Sequence, residues 1–341
     1  MPHQLKLVEK YLLHRKSPSL LYNNLHNFGD DSFLYVSGNT VFRNNPDVKN
    51  FLSIASYSEQ VIYCHAAFLP MYGNVVAIVN QRSMDLYITN KNCVSLVYNK
   101  HSLTRSVEAS KCVTFCLDKT GMICVFIGTS TGDLIYAEFN LSDVGGRKTS
   151  LVPKGCTNMH KMRSITALDA SYDHFPSPVS VVSGDNGGNV VLWDKNRKLY
   201  RFISSCDSES EYTTAVKICG EGMLAAVSFG NGKIVLYCMT TGSKSVEICA
   251  HARCINAMAC FHGPNIQGMG DLLATASEDG TVQLFNVVQS DGEVVAFVRW
   301  LANIELNDIL PTGLCFNESG ETLALTCYDT PLIYVYKISE L

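Results

Sequence analysis

The segment SGDNGGNVVLWDK, Ser183 to Lys195, decides the fold of this chain, because two apolar runs flank a tight glycine turn and the second run closes on Trp-Asp. Apolar runs separated by Asn and Gly predict a β-hairpin. Weaker copies of the same unit occur along the whole sequence, so the fold is predicted to be a repeat.

Seven copies of the hairpin align on the residue at the turn, and neighbouring turns are 44 to 56 residues apart. A period of about 40 to 45 residues, with four strands per unit, is typical of WD-repeat propellers. The sequence therefore resembles the WD-repeat family, which implies an all-β, seven-bladed WD-repeat β-propeller as a single domain over residues 1–341. The longer steps indicate insertions, with long surface loops predicted at 140–153 and 261–271. The turn residues are Gly38, Ser83, Gly132, Gly188, Gly232, Gly280 and Pro331.

The N-terminal segment is expected to close the ring, because the third strand of the seventh copy ends close to the last residue. We predict that residues within Leu5 to Arg15 form the outer strand of the last blade, and that Ser19 to Phe28 form the inner strand of the first. An amphipathic helix is the alternative, because Leu5, Val8 and Leu12 also fit a helical stripe. The strand is favoured, because an unclosed blade would leave an exposed edge.

WD blades are held together by hydrogen bonds among a His before the first strand, a Ser or Thr on the second, an Asp in the hairpin turn and a Trp on the third. In the fourth copy Gly187 occupies the Asp position, with Asp185 and Asn186 displaced toward the turn. The other three groups of that set are present. They are the imidazole of His160, the hydroxyl of Ser183 and the indole N–H of Trp193.

The sixth copy matches the same pattern at His251, Thr275 and Asp279, but Phe285 replaces the Trp and removes its N–H donor. The remaining copies are more degenerate. We therefore expect that no blade completes the four-residue set, and that the matching residues have a structural role.

Composition excludes several classes of function. The net charge of −4 argues against a nucleic-acid binder that works by neutralising phosphates. No apolar run approaches the length of about 18 residues that a membrane span requires, so no membrane insertion is expected. Fourteen cysteines without a CxxC pair indicate free thiols in a reducing cytoplasm. No Cys/His cluster has ligand spacing, so no metal and no cofactor are predicted.

Two short strings suggest other activities. Gly128 to Gly132, GTSTG, matches the GxSxG nucleophile elbow, but it joins two strands and no helix follows, so a turn is the favoured interpretation. Trp193 to Arg197, WDKNR, comes near the WDxR pattern of substrate receptors of cullin-type ubiquitin ligases. Asn196 stands where that pattern has Arg, so this function is kept as the alternative.

Three stretches resemble the WD repeat-containing protein 54 family: Gly222 to Met258, with GNG, TTG and AHAR, then SLLYNNL near the start, and Phe316 to Asp329. The resemblance implies a non-enzymatic cytoplasmic propeller with a link to cilia. It supplies no ligand set.

Function is therefore expected to lie in the loops, with a protein or peptide as partner, no nucleic acid, and self-association left open. The loop charges are mixed in sign, which suits a protein partner better than a polyanion. Arg253 is the favoured contact, because arginine is enriched at interface hot spots and this one neighbours a motif histidine. We predict a non-enzymatic scaffold. The candidate binding residues are Lys161, Arg163, Asp185, Asn186, Arg253, Glu278 and Asp329.

Overall fold

A computed structural model shows that every regular element in the described part of the chain is a β-strand. Within that part, no helix has the length and apolar character needed to cross a bilayer. The structure describes residues 3–13, 17–29, 32–44, 52–69, 72–81, 83–90, 93–101, 109–117, 121–139, 155–157, 159–171, 181–196, 199–205, 211–263, 270–289, 296–328 and 330–340.

The strands form seven antiparallel sheets of four strands each, numbered here as blades in chain order. The first strand, β1 (His3–Leu12), belongs to the seventh blade. Blades one to three consist of β2 (His26–Asn27), β3 (Phe33–Ser37), β4 (Thr40–Asn44) and β5 (Leu52–Ser56); β6 (Tyr63–Leu69), β7 (Gly73–Val79), β8 (Ser83–Asn90) and β9 (Cys93–His101); and β10 (Ser110–Leu117), β11 (Ile123–Thr129), β12 (Leu134–Phe139) and β13 (Gly155–Thr157).

Blades four to six consist of β14 (Ile165–Ala170), β15 (Val181–Asp185), β16 (Val190–Asn196) and β17 (Leu199–Ser205); β18 (Thr213–Cys219), β19 (Leu224–Phe229), β20 (Lys233–Cys238) and β21 (Lys244–Cys249); and β22 (Ile255–Phe261), β23 (Asp271–Ser277), β24 (Thr281–Gln289) and β25 (Ala296–Glu305). The seventh contains β26 (Pro311–Phe316), β27 (Thr322–Cys327), β28 (Leu332–Glu340) and β1.

The first strands of successive blades contact one another in a closed ring, from β2 through β6, β10, β14, β18, β22 and β26 back to β2. These strands surround a central channel. Each predicted hairpin forms the second and third strands of one blade, and the predicted seven-bladed propeller is confirmed.

Blades pack closely because their middle strands are apolar on both faces. Ile234, Val235, Leu236 and Tyr237 on β20 are all fully buried. Between blades four and five, a side chain at Gly184 would place its Cβ 2.3 Å from Thr213 Cγ2, so only glycine allows that approach.

The ring closes through β1, which pairs with β28 in antiparallel register from His3 opposite Glu340 to Leu12 opposite Leu332. The predicted closing strand is confirmed, but it begins at His3 rather than within Leu5 to Arg15, and the helical alternative is wrong. Pairing with β28 satisfies backbone groups that would otherwise form an exposed edge. Leu5 packs into the apolar cluster of blades six and seven, whereas Leu7 is 40% exposed.

The predicted inner strand over Ser19 to Phe28 is wrong in extent, because only His26 and Asn27 are in strand conformation. The reason is the preceding Asn pair. Asn23 has a φ of 44°, which breaks the strand. The side chain of Asn24 takes over the pairing by accepting from Val36 N (2.7 Å) and donating to Val36 O (2.9 Å).

The same segment ties the first blade to blades six and seven. Asn23 N donates to Asn256 O of blade six (3.0 Å), and Asn23 Oδ1 accepts from Leu314 N of blade seven (3.0 Å). Tyr22 packs against the apolar clusters of blades two to four and of blades five and six, so its side chain connects these two parts of the ring.

The two predicted surface loops have different outcomes. Residues 140–153 lie outside the described part of the chain. In the 261–271 segment, Phe261 ends β22 and Asp271 begins β23, so the connection is 262–270, of which 264–269 are not described.

Ring closure can be tested with two leucines of β1. Leu5→Ala should lower the free energy of unfolding by about 2 to 3 kcal/mol, because it opens a cavity in the cluster of blades six and seven. Leu7→Ala should cost under about 0.5 kcal/mol. Urea denaturation measures both. A chain lacking residues 1–12 should melt at a lower temperature, and an unchanged melting temperature would contradict closure by β1.

Candidate protein-binding face

One face of the ring carries the loops before the first strands and the turns between the second and third strands. In blades three to seven, the amide after the second strand donates to the carbonyl of the residue just before the first strand. These bonds lock each turn to its loop, and we call this surface the loop face. The donor and acceptor residues are Ser130 and Ala109 (2.8 Å), Asn186 and Ser164 (2.9 Å), Gly230 and Tyr212 (3.0 Å), Glu278 and Cys254 (2.9 Å), and Tyr328 and Leu310 (2.8 Å).

Beneath the loop face, blade four contains a complete buried hydrogen-bond network. His160 Nδ1 lies 2.7 Å from Asp185 Oδ2, and His160 Nε2 lies 2.7 Å from Ser183 Oγ. Trp193 Nε1 donates to Ser183 Oγ (2.8 Å). Every donor has an acceptor when the proton of the imidazole is on Nδ1. The expectation that no blade completes the set is therefore wrong.

Asp185 performs the role of the turn Asp from a position two residues earlier. The register aligns Gly187 with Asp279 of blade six and Asp185 with Ser277. Asp185 nevertheless reaches the histidine, because Gly187 N (2.8 Å) and Asn189 N (3.0 Å) donate to its Oδ1 and fold the turn back around it.

This environment also changes the chemistry of Asp185. Burial would raise the pKa of its carboxyl, but hydrogen bonds from His160, Asn189 and two amides outweigh burial and hold the pKa below its ordinary value. The side chain is fully buried. Asp185 is therefore corrected from a candidate contact to an internal residue of blade four.

Blade six contains a three-residue form of the network. His251 Nε2 lies 2.9 Å from Thr275 Oγ1, and His251 Nδ1 lies 3.1 Å from Asp279 Oδ2. Phe285 is buried at the place of the Trp and provides no donor. Asp279 also accepts from Ala252 N (2.9 Å), which fixes the loop that precedes Arg253.

The loop of blade four exposes three side chains in a row. Lys161 and Met162 have φ values of 48° and 67°, a backbone region that costs non-glycine residues about 1 kcal/mol each. The turn is closed by Arg163 N donating to His160 O (3.0 Å), and Met162 is 70% exposed. Arg163 lies over Gly187 and donates to its carbonyl (3.2 Å). The strained turn thus presents an apolar side chain between two cations.

Tyr212 and Tyr328 extend the apolar surface around the loop face. Tyr212 is 44% exposed, and its ring lies against Gly230, where an added Cβ would come within 2.2 Å of it. Its hydroxyl donates to Cys254 Sγ (3.4 Å). Tyr328 is also exposed. The sequence analysis did not predict Met162 or the two tyrosines as surface residues. A signal was available, because each is an apolar residue in a loop next to the end of a predicted strand.

The remaining candidate contacts are distributed around the same face. Asn186, Arg253 and Glu278 are exposed, and the carbonyl of Arg253 accepts from Ser277 Oγ (3.0 Å). Asp329 lies outside the described residues. The loop face thus brings Lys161, Arg163, Asn186, Arg253 and Glu278 onto one surface.

The GTSTG string has the structure of a turn. Ser130 Oγ accepts from Ala109 N (3.0 Å), and Thr129 Oγ1 accepts from Asp133 N (2.9 Å). The serine hydroxyl therefore helps to hold the loop of blade three, as the interpretation of this string as a hairpin turn requires.

The channel contains a second site, a cavity of about 320 Å³ where the first strands end. Lys217 Nζ lies 3.3 Å from Asp169 Oδ1, and Ile218 N donates to Asp169 Oδ2 (2.8 Å). Burial, followed by the charge of Lys217, lowers the pKa of His26 to about 4 and also lowers the pKa of His65. The cavity is therefore lined by the neutral imidazoles of His26 and His65 and by the Lys217–Asp169 ion pair.

A closed ring of seven four-stranded blades with a buried His–Ser–Asp–Trp network defines a WD-repeat β-propeller. The chain belongs to the WDR54 family, whose model matches residues 53–339.

Individual relatives are distant. The chain is similar to WD repeat domain 54 of Rattus norvegicus, at 26% identity over 160 residues, 44% of this chain and 42% of that protein. It is also similar to Outer membrane protein B of Rickettsia japonica, at 24% identity over 263 residues, 72% of this chain and 15% of that protein. The chain thus spans less than half the length of either relative.

Among solved structures, a chain in "Crystal Structure of Mitotic Checkpoint Complex" is similar with a TM-score of 0.74 at 12% identity. The match covers 99% of this chain and 93% of that one. At this identity, the similarity establishes the fold alone.

The network of blade four can be tested with neighbouring residues. Asp185→Ala should lower the free energy of unfolding by about 1 to 3 kcal/mol, because it leaves the buried His160 without its acceptor. Asn186→Ala, at the next and exposed position, should change it by under about 0.5 kcal/mol. Chemical denaturation compares the two, and equal effects would show that Asp185 is not part of a stabilising network.

The channel histidines make stability depend on pH. Because the pKa of His26 is about 4 in the folded chain and 6.5 in the unfolded one, the unfolded state binds more protons between these values. The free energy of unfolding should therefore fall as the pH drops below about 6.5, by at most about 1.4 kcal/mol per pH unit for each such histidine. Melting temperatures at pH 7.5 and 5.5 measure the effect. His65→Phe should reduce it, and an identical pH profile in that variant would contradict this assignment.

Proposed function

We propose that the chain is a non-enzymatic scaffold that binds a protein partner through its loop face in the cytoplasm. The observation that carries this proposal is the set of exposed apolar side chains placed among charges of both signs on one rigid surface. Met162, Tyr212 and Tyr328 are exposed there together with Arg253 and Glu278.

The loop face suits binding because its loops are already ordered. The buried network under His160 and the set around His251 fix the two loops that carry Arg163 and Arg253. A surface that is ordered before binding loses less conformational entropy in the complex. Loops on a rigid scaffold are also a common location of binding residues.

The residue types on the loop face indicate which kind of partner it can bind. Tyrosine and arginine are the residues most enriched at interface hot spots, and methionine adapts to irregular apolar surfaces. The cations of Lys161, Arg163 and Arg253 share this surface with the carboxylate of Glu278. A peptide or protein segment with an apolar anchor flanked by charged groups of both signs fits this surface, whereas a nucleic acid would meet repulsion at Glu278.

Two further observations support the non-enzymatic, cytoplasmic part of the proposal. The hydroxyl of Ser130, the one serine in a nucleophile-like string, is engaged with the amide of Ala109. The eleven cysteines whose side chains the structure describes are free thiols, which agrees with a reducing compartment.

Charge reversal tests the loop face. Arg253→Glu should leave the melting temperature within about 2 °C of the parent chain and weaken partner recovery by about tenfold or more, since the side chain is exposed and removal of an interface hot spot costs about 2 kcal/mol or more. Arg299→Glu is the matched control, because Arg299 is exposed on the outer strand β25, outside the loop face. Affinity purification of the tagged chains from cells, quantified by mass spectrometry, measures the partners.

The outcomes separate the functions. Proteins lost with Arg253→Glu and retained with Arg299→Glu support the scaffold at the loop face. A cullin adaptor in that set would instead favour the ubiquitin-ligase substrate receptor. Equal recovery with both variants would place the partner site elsewhere.

A further inference from the structure

Three side chains with different ligand atoms converge at the channel end of blade six. Cys260 is the penultimate residue of β22, His262 follows the strand, and Asp271 begins β23. Their ligand atoms all lie within 4.8 Å of one another. Cys260 and His262 line the channel cavity, and the His262 side chain is 34% exposed.

The contacts among the three side chains converge on one atom. His262 Nδ1 lies 3.0 Å from Asp271 Oδ2 and 3.9 Å from Cys260 Sγ. A ring nitrogen that carries a proton can donate it to the carboxylate, and one without a proton can accept from the thiol, but the nitrogen cannot do both at once. In any one protonation state at most one of the two contacts is a hydrogen bond, and the other contact places a second ligand atom beside the same nitrogen.

We propose that Cys260, His262 and Asp271 bind a divalent transition-metal ion, with zinc as the preferred ion. A thiolate, an imidazole and a carboxylate are the ligand types that zinc takes. Tetrahedral zinc with bonds of about 2.3 Å to sulfur and about 2.1 Å to nitrogen and oxygen separates its ligand atoms by about 3.5 Å. The two measured separations lie on either side of that value. Magnesium and calcium are disfavoured, because they take oxygen ligands.

The surroundings complete the site. Gly220 N donates to Asp271 Oδ2 (2.6 Å), which orients the carboxylate from the neighbouring blade in the manner of an outer-shell hydrogen bond. Two anionic ligands balance the charge of the ion. Three protein ligands leave a fourth position, which would face the cavity and take water or a small ligand.

Cobalt(II) is the probe for this site, because a thiolate bound to cobalt gives a charge-transfer absorption band in the near ultraviolet. The purified full chain, stripped of metal with a chelator, should bind one Co²⁺ with that band and release it when Zn²⁺ is added. A folded chain without the band would overturn the proposal.

Variants assign the ligands. Cys260→Ser should abolish the band, and His262→Asn should weaken Co²⁺ binding by about tenfold or more. Cys249→Ser is the matched control, because Cys249 is exposed on β21 and should leave the band unchanged. Melting temperatures verify that each variant is folded. If Cys260→Ser did not fold, His262→Asn would provide the test, because the partly exposed His262 can be replaced without a large effect on folding. Unchanged Co²⁺ binding in His262→Asn would then overturn the proposal.

Discussion

The structure depends on the pairing of β1 with β28. Seven blades around a channel are stable only as a closed ring, because a gap would expose the apolar faces of two blades and the edge of one sheet. The pairing joins residues such as Gln4 and Ser339, which are separated by 335 positions. Both the loop face and the channel cavity exist only in the closed ring, since each collects side chains from several blades.

Much of the fold could be predicted, because a hairpin is a local structure. Two apolar runs around a turn residue specify the second and third strands of every blade, and the seven turns suffice to count the blades. The short inner strand of blade one could not be predicted in the same way. Its boundaries are set by Asn23 and Asn24, whose partners lie in blades one, six and seven.

The sites were less predictable, because they depend on geometry across blades and turns. Gly187 occupies the Asp position of the WD-repeat pattern, which predicted an incomplete network in blade four. Asp185 nevertheless contacts Nδ1 of His160, because the turn folds around its carboxylate. The exposed residues Met162 and Tyr212 lie in the loops, but a search for charged residues does not detect them. Cys260 and His262 are close in sequence, but Asp271 joins them only when β22 and β23 pair, so ligand spacing alone gave no signal.

The first strands of the blades give the channel two different ends. They begin at the loop face and end at the cavity, whose lining includes Ala170, Ile218 and Phe316. The cavity therefore lies at the end of the ring opposite the loop face. A partner seated on the loops is separated from the cavity by the length of the first strands, and the two sites do not compete for the same surface.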